Sequence, residues 1–318
     1  MANHISLGEG APVLAADVGG TVTKVSVVDG TGRVSPPVRI RTPSGTSDTP
    51  RDILDAISAT ASNIPGADRV AAAGVALPGI FDEERGIGIW SENLDWHDVD
   101  FRSLAPERLQ LPSTVSHDVR AAALAELRLG AATGLRDAAV ITLGTGIAAA
   151  VIVDGTPRVS GGYAGEIGHA VVDPTGEPCL CGNRGCLEAT ASAAAIARRY
   201  GDASGTPVAG ARDVLERAQS GNPTAQRIWS SAIDALALGI SHLSAVIAPQ
   251  AIVIGGGLSE AGDALFVPLQ ERLNERFRLR PTPLLRAFLG EDAGVIGAAV
   301  GAREGDLRGV EQAGGPHG

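Results

Sequence analysis

The residues best equipped for chemistry lie in one run, Gly165 to Glu188, which reads GEIGHAVVDPTGEPCLCGNRGCLE. All three cysteines of the chain, Cys179, Cys181 and Cys186, fall in it, and with His169 they read H-x9-C-x-C-x4-C. Three thiolates and one imidazole complete a tetrahedral zinc site, and the intervening Gly and Pro let a short loop wrap the ion. An odd, clustered set of cysteines is a poor disulfide framework, so metal binding is the better expectation. Four protein ligands leave no open position for water, which makes the ion structural. Its task would be to hold Glu166, His169 and Glu188, since two carboxylates and an imidazole suit a polyhydroxyl ligand.

A second chemistry-bearing pattern occurs twice. Leu14 to Gly30 reads LAADVGGTVTKVSVVDG and Ala139 to Gly155 reads AVITLGTGIAAAVIVDG, 125 positions apart. Each is an apolar strand, a Gly/Thr turn, a second strand and a closing Asp-Gly suited to a hairpin turn. One such turn is equally an ordinary Gly-rich hairpin. Two in register, Gly19-Gly20-Thr21 and Gly144-Thr145-Gly146, suggest paired phosphate sites, because glycine lets the backbone approach an anion and Thr adds a donor. No G-x-x-x-x-G-K-[ST] is present, so neither is a P-loop. Duplication of one unit into two similar lobes is the economical reading.

Alternating strands and helices must position these turns. Ser47 or Asp48 can cap a helix with Ile53, Ile57 and Ile64 on its apolar face. Arg69 to Leu77 reads as a strand ending at Pro78-Gly79, and Val119 to Leu129 as a helix. Asn222 to Ile247 reads as a long helix, with Ile233, Leu236, Ile240, Leu243 and Ile247 on one stripe. Ala251 to Ile254 is a short apolar strand running into Gly255-Gly256-Gly257 and a further helix. Asp202 to Gly210 reads as a loop and 305–318 as a frayed tail. The alternation implies an α/β fold with mixed sheets.

Composition narrows the function classes. Glycine supplies 42 of 318 residues while Phe, Trp and Tyr together supply 3%, and no G-X-Y period appears. The 44% hydrophobic content supports a sizeable core and excludes a wholly disordered chain. A formal charge of −10 opposes nucleic acid and anionic membranes as partners. Met1 to Gly10 lacks the pattern of a signal peptide, and no long uncharged apolar stretch offers a membrane span, so a cytoplasmic location is expected. His4, His97, His242 and His317 have no metal spacing with one another. Trp90, Trp96 and Trp229 suit packing, and Trp96 and Trp229 equally an interface.

Gly165 to Glu188, with its C-x-C-G-x-x-G-C-x-E core, resembles the signature of the ROK family of repressors, open reading frames and sugar kinases. Asp17-Val18-Gly19-Gly20-Thr21 and Gly144-Thr145-Gly146 resemble the two phosphate motifs of actin-like (ribonuclease H-like) sugar kinases. Leu77-Pro78-Gly79 and Asn93-Leu94-Asp95-Trp96 resemble sugar-side loops, Gly255-Gly256-Gly257 the adenosine motif, and Gly294 to Ala299 the closing helix. The resemblance runs from about Val13 to Arg303.

It implies a two-lobed fold with an interdomain cleft. The expected parts are a small domain over 1–118, a large one over 119–293, a closing helix over about 294–304 packing back on the first, and the tail. It implies an ATP-dependent hexose kinase, glucokinase-like, with N-acetylmannosamine, N-acetylglucosamine, mannose or fructose as alternative acceptors. Asp118 would be the catalytic base, with Pro78, Gly79, Asn93, His117, Glu166, His169 and Glu188 also binding sugar. Asp17, Gly19, Gly20, Thr21, Lys24, Gly144, Thr145, Gly146 and Gly255 to Gly257 would serve ATP, with Asp17 positioning Mg²⁺. A homodimer or homotetramer is implied.

Two departures qualify this reading. His117 stands where the family's kinases carry Asn, and Ala148-Ala149-Ala150 occupies a stretch usually richer in glycine. They make a sugar-binding protein with weakened catalysis the alternative. Repressor members carry a DNA-binding domain ahead of the first phosphate motif, and only about a dozen residues precede Val13 here, so that role is not expected.

Overall fold

A computed structural model describes residues 5–313, with side chains to residue 305. The chain begins with β1 (Val13–Val18), β2 (Val22–Val28), β3 (Val38–Arg41) and α1 (Thr49–Ala61). Next come β4 (Ala72–Leu77), β5 (Ile80–Asp82), β6 (Ile87–Ser91), β7 (Trp96–Asp100), α2 (Phe101–Leu109), β8 (Ser113–His117) and α3 (Asp118–Leu129). Then follow β9 (Ala138–Leu143), β10 (Ile147–Val153), β11 (Thr156–Pro157), α4 (Leu187–Ala191), α5 (Ala193–Ser204) and α6 (Ala211–Gln219). The last are α7 (Pro223–Ile247), β12 (Ala251–Gly255), α8 (Asp263–Arg276), β13 (Leu284–Arg286) and α9 (Ala293–Ala313).

Two compact units result: Met1–Thr133 with Val159–Ala164 and Asp292–Gly318, and Gly134–Arg158 with Gly165–Glu291. Each is built on a five-stranded mixed sheet. The first has order β3-β2-β1-β4-β8 and the second β11-β10-β9-β12-β13. In both, the opening hairpin is antiparallel and the inner strand is followed by two parallel neighbours, so the repeat read in the sequence is a repeat of topology. The second hairpin closes at Asp154-Gly155, both at positive φ, as a two-residue turn of this kind requires. At Asp29 the closure differs: its carboxylate accepts from the Thr31 N–H and hydroxyl.

Helix α3, expected in the second domain, packs in the first unit. The cause is small-residue contact with α9, where a Cβ on Gly297 would lie 1.8 Å from the Ala121 carbonyl oxygen. The same closeness recurs between α9 and the sheet. A Cβ on Gly74 in β4 would sit 1.9 Å from the Ala298 carbonyl oxygen. Gly74→Ala is therefore expected to destabilise the protein by about 1–3 kcal/mol, read as a lower urea midpoint at unchanged slope.

Local signals hold with shifted ends. Asp48 caps α1 through the Arg51 N–H, and Ile64 is buried beyond the helix end. Asn222 caps α7, whose Ile233, Leu236 and Ile240 enter the second unit's core while Leu243 and Ile247 are partly buried against it. By length and composition α7 would cross a membrane, yet half of its apolar window is buried here. Helix α5 reaches Ser204 and stops at Gly205 (φ 67°), which shortens the expected 202–210 loop. Helix α9 continues to Ala313, so the expected tail is helical that far. Residues 314–318, with His317, and residues 1–4, with His4, lie outside the described residues. Trp96 and Trp229 are core residues, the latter donating to the Ala264 carbonyl.

Candidate active site

In the first unit the candidate residues gather where parallel strands β1, β4 and β8 end. Asp17, near the end of β1, pairs in register with Lys24 on β2, with Nζ 3.7 Å from Oδ2. Burial pushes the Asp17 carboxyl up to about 6 against the pull of Lys24, and like charge from Asp118 and Asp292 adds to the rise. The first turn of α9 lies on this carboxylate, and a Cβ on Gly294 would stand 2.6 Å from its carboxyl carbon. The Gly19-Gly20-Thr21 turn is closed by the Gly19 N–H on the Val22 carbonyl at 3.0 Å. Thr42 Oγ1 donates to the Gly19 carbonyl and meets Thr23 Oγ1, a brace the sequence reading missed. Asn93, exposed between β6 and β7, faces this turn, 3.5 Å from where a Gly20 Cβ would be.

Asp118 opens α3, which follows β8 without a connecting loop. Its Oδ1 accepts from the Val119 N–H at 2.7 Å, one residue on, so it is not an ordinary helix cap, which would bond two or three residues ahead. A third of the side chain is exposed, and burial of the rest pushes the carboxyl up to about 6. His117 is 7% exposed at its side chain, with Nε2 3.3 Å from Asp118 Oδ1. Burial, reinforced by the Arg120 charge, lowers the imidazole to about 3, so it is neutral.

Two residues that the motif search did not select secure this pair. Glu83 Oε1 accepts from both the His117 N–H at 2.8 Å and Arg120 Nε at 2.7 Å. Arg120, 2% exposed, also donates to the Phe81 carbonyl. An arginine in the Ala-rich first turns of α3 was a signal for a buried partner; Glu83 had none.

Asp17 has a stability signature. An acid whose folded pKa lies above its unfolded value adds stability that is complete below about pH 3.8 and lost as pH rises through about 6, roughly 3 kcal/mol for Asp17. Asp17→Asn should thus gain stability relative to the parent as pH rises from about 5 to about 8, in paired urea titrations.

In the second unit the corresponding edge carries the other turn. The Gly144 N–H bonds the Gly146 carbonyl at 2.9 Å, and the Gly144 carbonyl accepts from Ala193 at the start of α5. Thr145 is exposed at the tip. Gly255 pairs with Thr142, and a Cβ on Gly256 (φ 82°) would lie 2.5 Å from the Leu143 carbonyl oxygen, so the glycine triad abuts this turn. Glu188 Oε2 accepts from the Ile147 N–H at 2.7 Å, tying the cysteine loop to the turn. Ala149 and Ala150 are buried and Ala149 faces the core, so the alanine run offers only Ala148 to an approaching ligand. Of the three methyl groups expected to restrict approach, alternation turns Ala149 to the core face, and Ala150, on the same face as Ala148, is itself buried.

His169, Cys179, Cys181 and Cys186 place their ligand atoms within 4.8 Å of one another. Cys179 Sγ lies 3.6 Å from His169 Nδ1, and Cys181 Sγ 3.6 Å from Cys186 Sγ. Such edges fit a tetrahedron with Zn–S near 2.3 Å and are far beyond a disulfide of about 2.05 Å. Burial and the neighbouring thiols push Cys186 up to about 12, so three thiolates need a cation beside them. His169 Nε2 points away from the thiols, 3.9 Å from Glu166 Oε2. Gly165 and Gly168 seat this segment on β10, where a Cβ would come within 1.8 Å of Ala149 O and 2.1 Å of Ile147 O.

The ROK family model matches residues 13–304. A glucokinase of Thermotoga maritima is 33% identical, over 90% of this chain and 96% of its own. An N-acetylmannosamine kinase of Escherichia coli is 34% identical, over 90% of this chain and 97% of its own. The crystal structure of a ROK family glucokinase from Streptomyces griseus in complex with glucose and AMPPNP matches with TM-score 0.79 at 31% identity, covering 92% of this chain and 100% of that one. The paired five-stranded sheets are those of the actin-like fold. The family match over nearly the whole described chain agrees with the paired turns and the Cys3His loop: this chain belongs to the ROK family.

Proposed function

We propose that this ROK family sugar kinase transfers the γ-phosphoryl group of ATP to a hexose, with the 6-hydroxyl of glucose as the leading acceptor. One observation carries the assignment: Asp118 presents a partly exposed carboxylate, held by the Val119 N–H, at the end of the sheet that bears the Gly-Gly-Thr turn. A carboxylate so placed accepts the hydroxyl proton as the phosphoryl group moves to the sugar oxygen, the part Asp plays in other phosphoryl-transfer enzymes.

Pro78, Gly79, Asn93 and His117 accompany Asp118 in the first unit as sugar-binding candidates, and the family resemblance implies the same role for Glu166, His169 and Glu188 of the second. Thr21 and Thr145 hydroxyls and the N–H groups of the two turns donate to phosphate oxygens, with Lys24 adding positive charge. Gly255 to Gly257 leave room beside the second turn for the nucleoside. Asp17 fits Mg²⁺, being a poorly solvated carboxylate at the phosphate turn, and the ion when bound would offset phosphate charge. Zinc when bound would hold the cysteine loop rigid.

The test is a coupled assay with glucose, mannose, fructose, N-acetylglucosamine and N-acetylmannosamine. Turnover on one of them, absent in Asp118→Ala, supports the kinase; the same rate in both proteins overturns it. The N-acetylmannosamine kinase relative makes that sugar the second acceptor to rank. Sugar binding by calorimetry without turnover would favour the weakened-catalysis reading.

A further inference from the structure

Leu77 and His117 face each other at the ends of the parallel strands β4 and β8. From Leu77 the chain leaves the sheet at Pro78-Gly79, runs through β5 and returns at Glu83, whose Oε1 accepts from the His117 N–H at 2.8 Å. Segment 78–83 is thus tied to His117 at both ends, next to Asp118 in the chain. Arg120 closes the loop from the first turn of α3. Its Nε donates to Glu83 Oε1 at 2.7 Å, and a terminal guanidinium N–H donates to the Phe81 carbonyl. On the β6 side Gly79 (φ 109°) has no room for a Cβ against the Trp90 carbonyl, so the loop is confined there as well. For folding alone, apolar side chains of similar volume often serve as well as a buried ion pair. They would not fix a loop against a helix start, which takes directed, charge-assisted hydrogen bonds.

We propose that Glu83 and Arg120 are positioning residues: together they clasp the Pro78-Gly79 loop to the start of α3, so that the sugar hydroxyl and the base are held in one frame. This rests on the readings of Asp118 and of the Pro78-Gly79 loop given above. The clasp also places a fixed charge near the base, since the Arg120 guanidinium favours the Asp118 carboxylate against its burial. The other charged groups around Asp118 are Asp17 on β1, with Lys24 and Asp292 beside it, and Glu83 on Arg120, while His117 is neutral.

Glu83→Leu combined with Arg120→Met removes the clasp without stranding a buried charge. Arg120→Lys keeps the charge, but one compact ammonium does not reach both acceptors. Three readouts are taken: KM for sugar and for ATP with kcat, the acid limb of kcat/KM, and backbone amide exchange over 78–83. In the double variant sugar KM should rise and kcat fall, each by more than about tenfold, while KM for ATP stays within about threefold. Amides of 78–83 should exchange more than about tenfold faster at an unchanged urea midpoint. Its acid limb should move up by about half a pH unit, the guanidinium being gone. Arg120→Lys should keep the limb in place yet raise sugar KM by about threefold or more, which decides the matter by itself if the double variant does not fold.

Parental sugar KM and kcat in the folded double variant, or in Arg120→Lys, overturn the proposal. So does unchanged exchange over 78–83, or an equal rise in KM for sugar and ATP, which marks a general loss of structure. If exchange and sugar KM respond but Asp118→Asn keeps parental kcat, the clasp stands and the base assignment falls. If no sugar is turned over, the kinase reading falls, and glucose affinity by calorimetry takes the place of KM in deciding the clasp.

Discussion

Asp118→Asn is expected to lower kcat by on the order of 10²–10⁴-fold, the usual contribution of a positioned general base. Zinc content should be retained and the urea midpoint should not fall, because Asp118 is not the cap of α3 and its hydrogen bond to the Val119 N–H is a local one. The pH profile gives the same assignment a second expression. Burial raises Asp118 to about 6, so kcat/KM should climb as pH rises through about 6 and level above it. His117 adds no limb in that range, its imidazole being lowered to about 3. Asp17 also titrates near 6 and must be ionised to hold a cation, so the acid limb should be steeper than for one group, approaching a logarithmic slope of about two. Steady-state rates across about pH 5 to 9 for the parent and Asp118→Asn decide the matter, and a flat profile through 6 would contradict the base role.

Loss of zinc should have the next largest effect. Cys181 is the exposed ligand, so Cys181→Ser removes a thiolate with little effect on packing. Zinc affinity is expected to fall by more than about 100-fold, exceeding the 10–100-fold typical of residues that only support a ligand. The loop it closes carries Glu166, His169 and Glu188, and Glu188 also holds the Ile147 end of the second turn. KM values for both sugar and ATP should therefore rise in the variant. A metal bound only by the folded state adds stability as its concentration exceeds its dissociation constant, about 4 kcal/mol at a thousandfold excess. Thermal unfolding of the parent with and without chelator, and of Cys181→Ser with added zinc, measures it. A chelator-insensitive melting temperature would refute the structural metal.

The legible parts of this protein were those whose signals are local. The four candidate metal ligands lie within 18 consecutive residues, and their spacing alone predicts the cluster that their ligand atoms form. The hairpin turns carry Gly, Thr and Asp-Gly at fixed offsets, because a tight reversal restricts backbone angles to what those residues tolerate. Their repetition anticipated two sheets of equal strand order. Asp48 and Asn222 showed as caps for the same reason.

Side-chain environment was not legible in this way. Whether the alanine run at 148–150 faced a ligand or the core depended on how β10 pairs with β9, and the pairing turns Ala149 inward. Glu83, Arg120 and His117 are spread over 38 residues and meet only because β8 joins β4 and the β5 turn returns beside them. Gly294 lies 277 positions from Asp17, and nothing near either in sequence announces that α9 starts on that carboxylate.

By itself, then, the sequence determined the metal loop, the paired turns and the family, since each is written in contiguous residues whose chemistry or backbone freedom is self-contained. Only the tertiary structure decided how burial raises Asp17 and Asp118, that His117 is buried and neutral beside Asp118, and that α3 packs with the first unit. Proton affinity and close packing depend on which distant atoms displace water from a group, and the chain sets that only by folding.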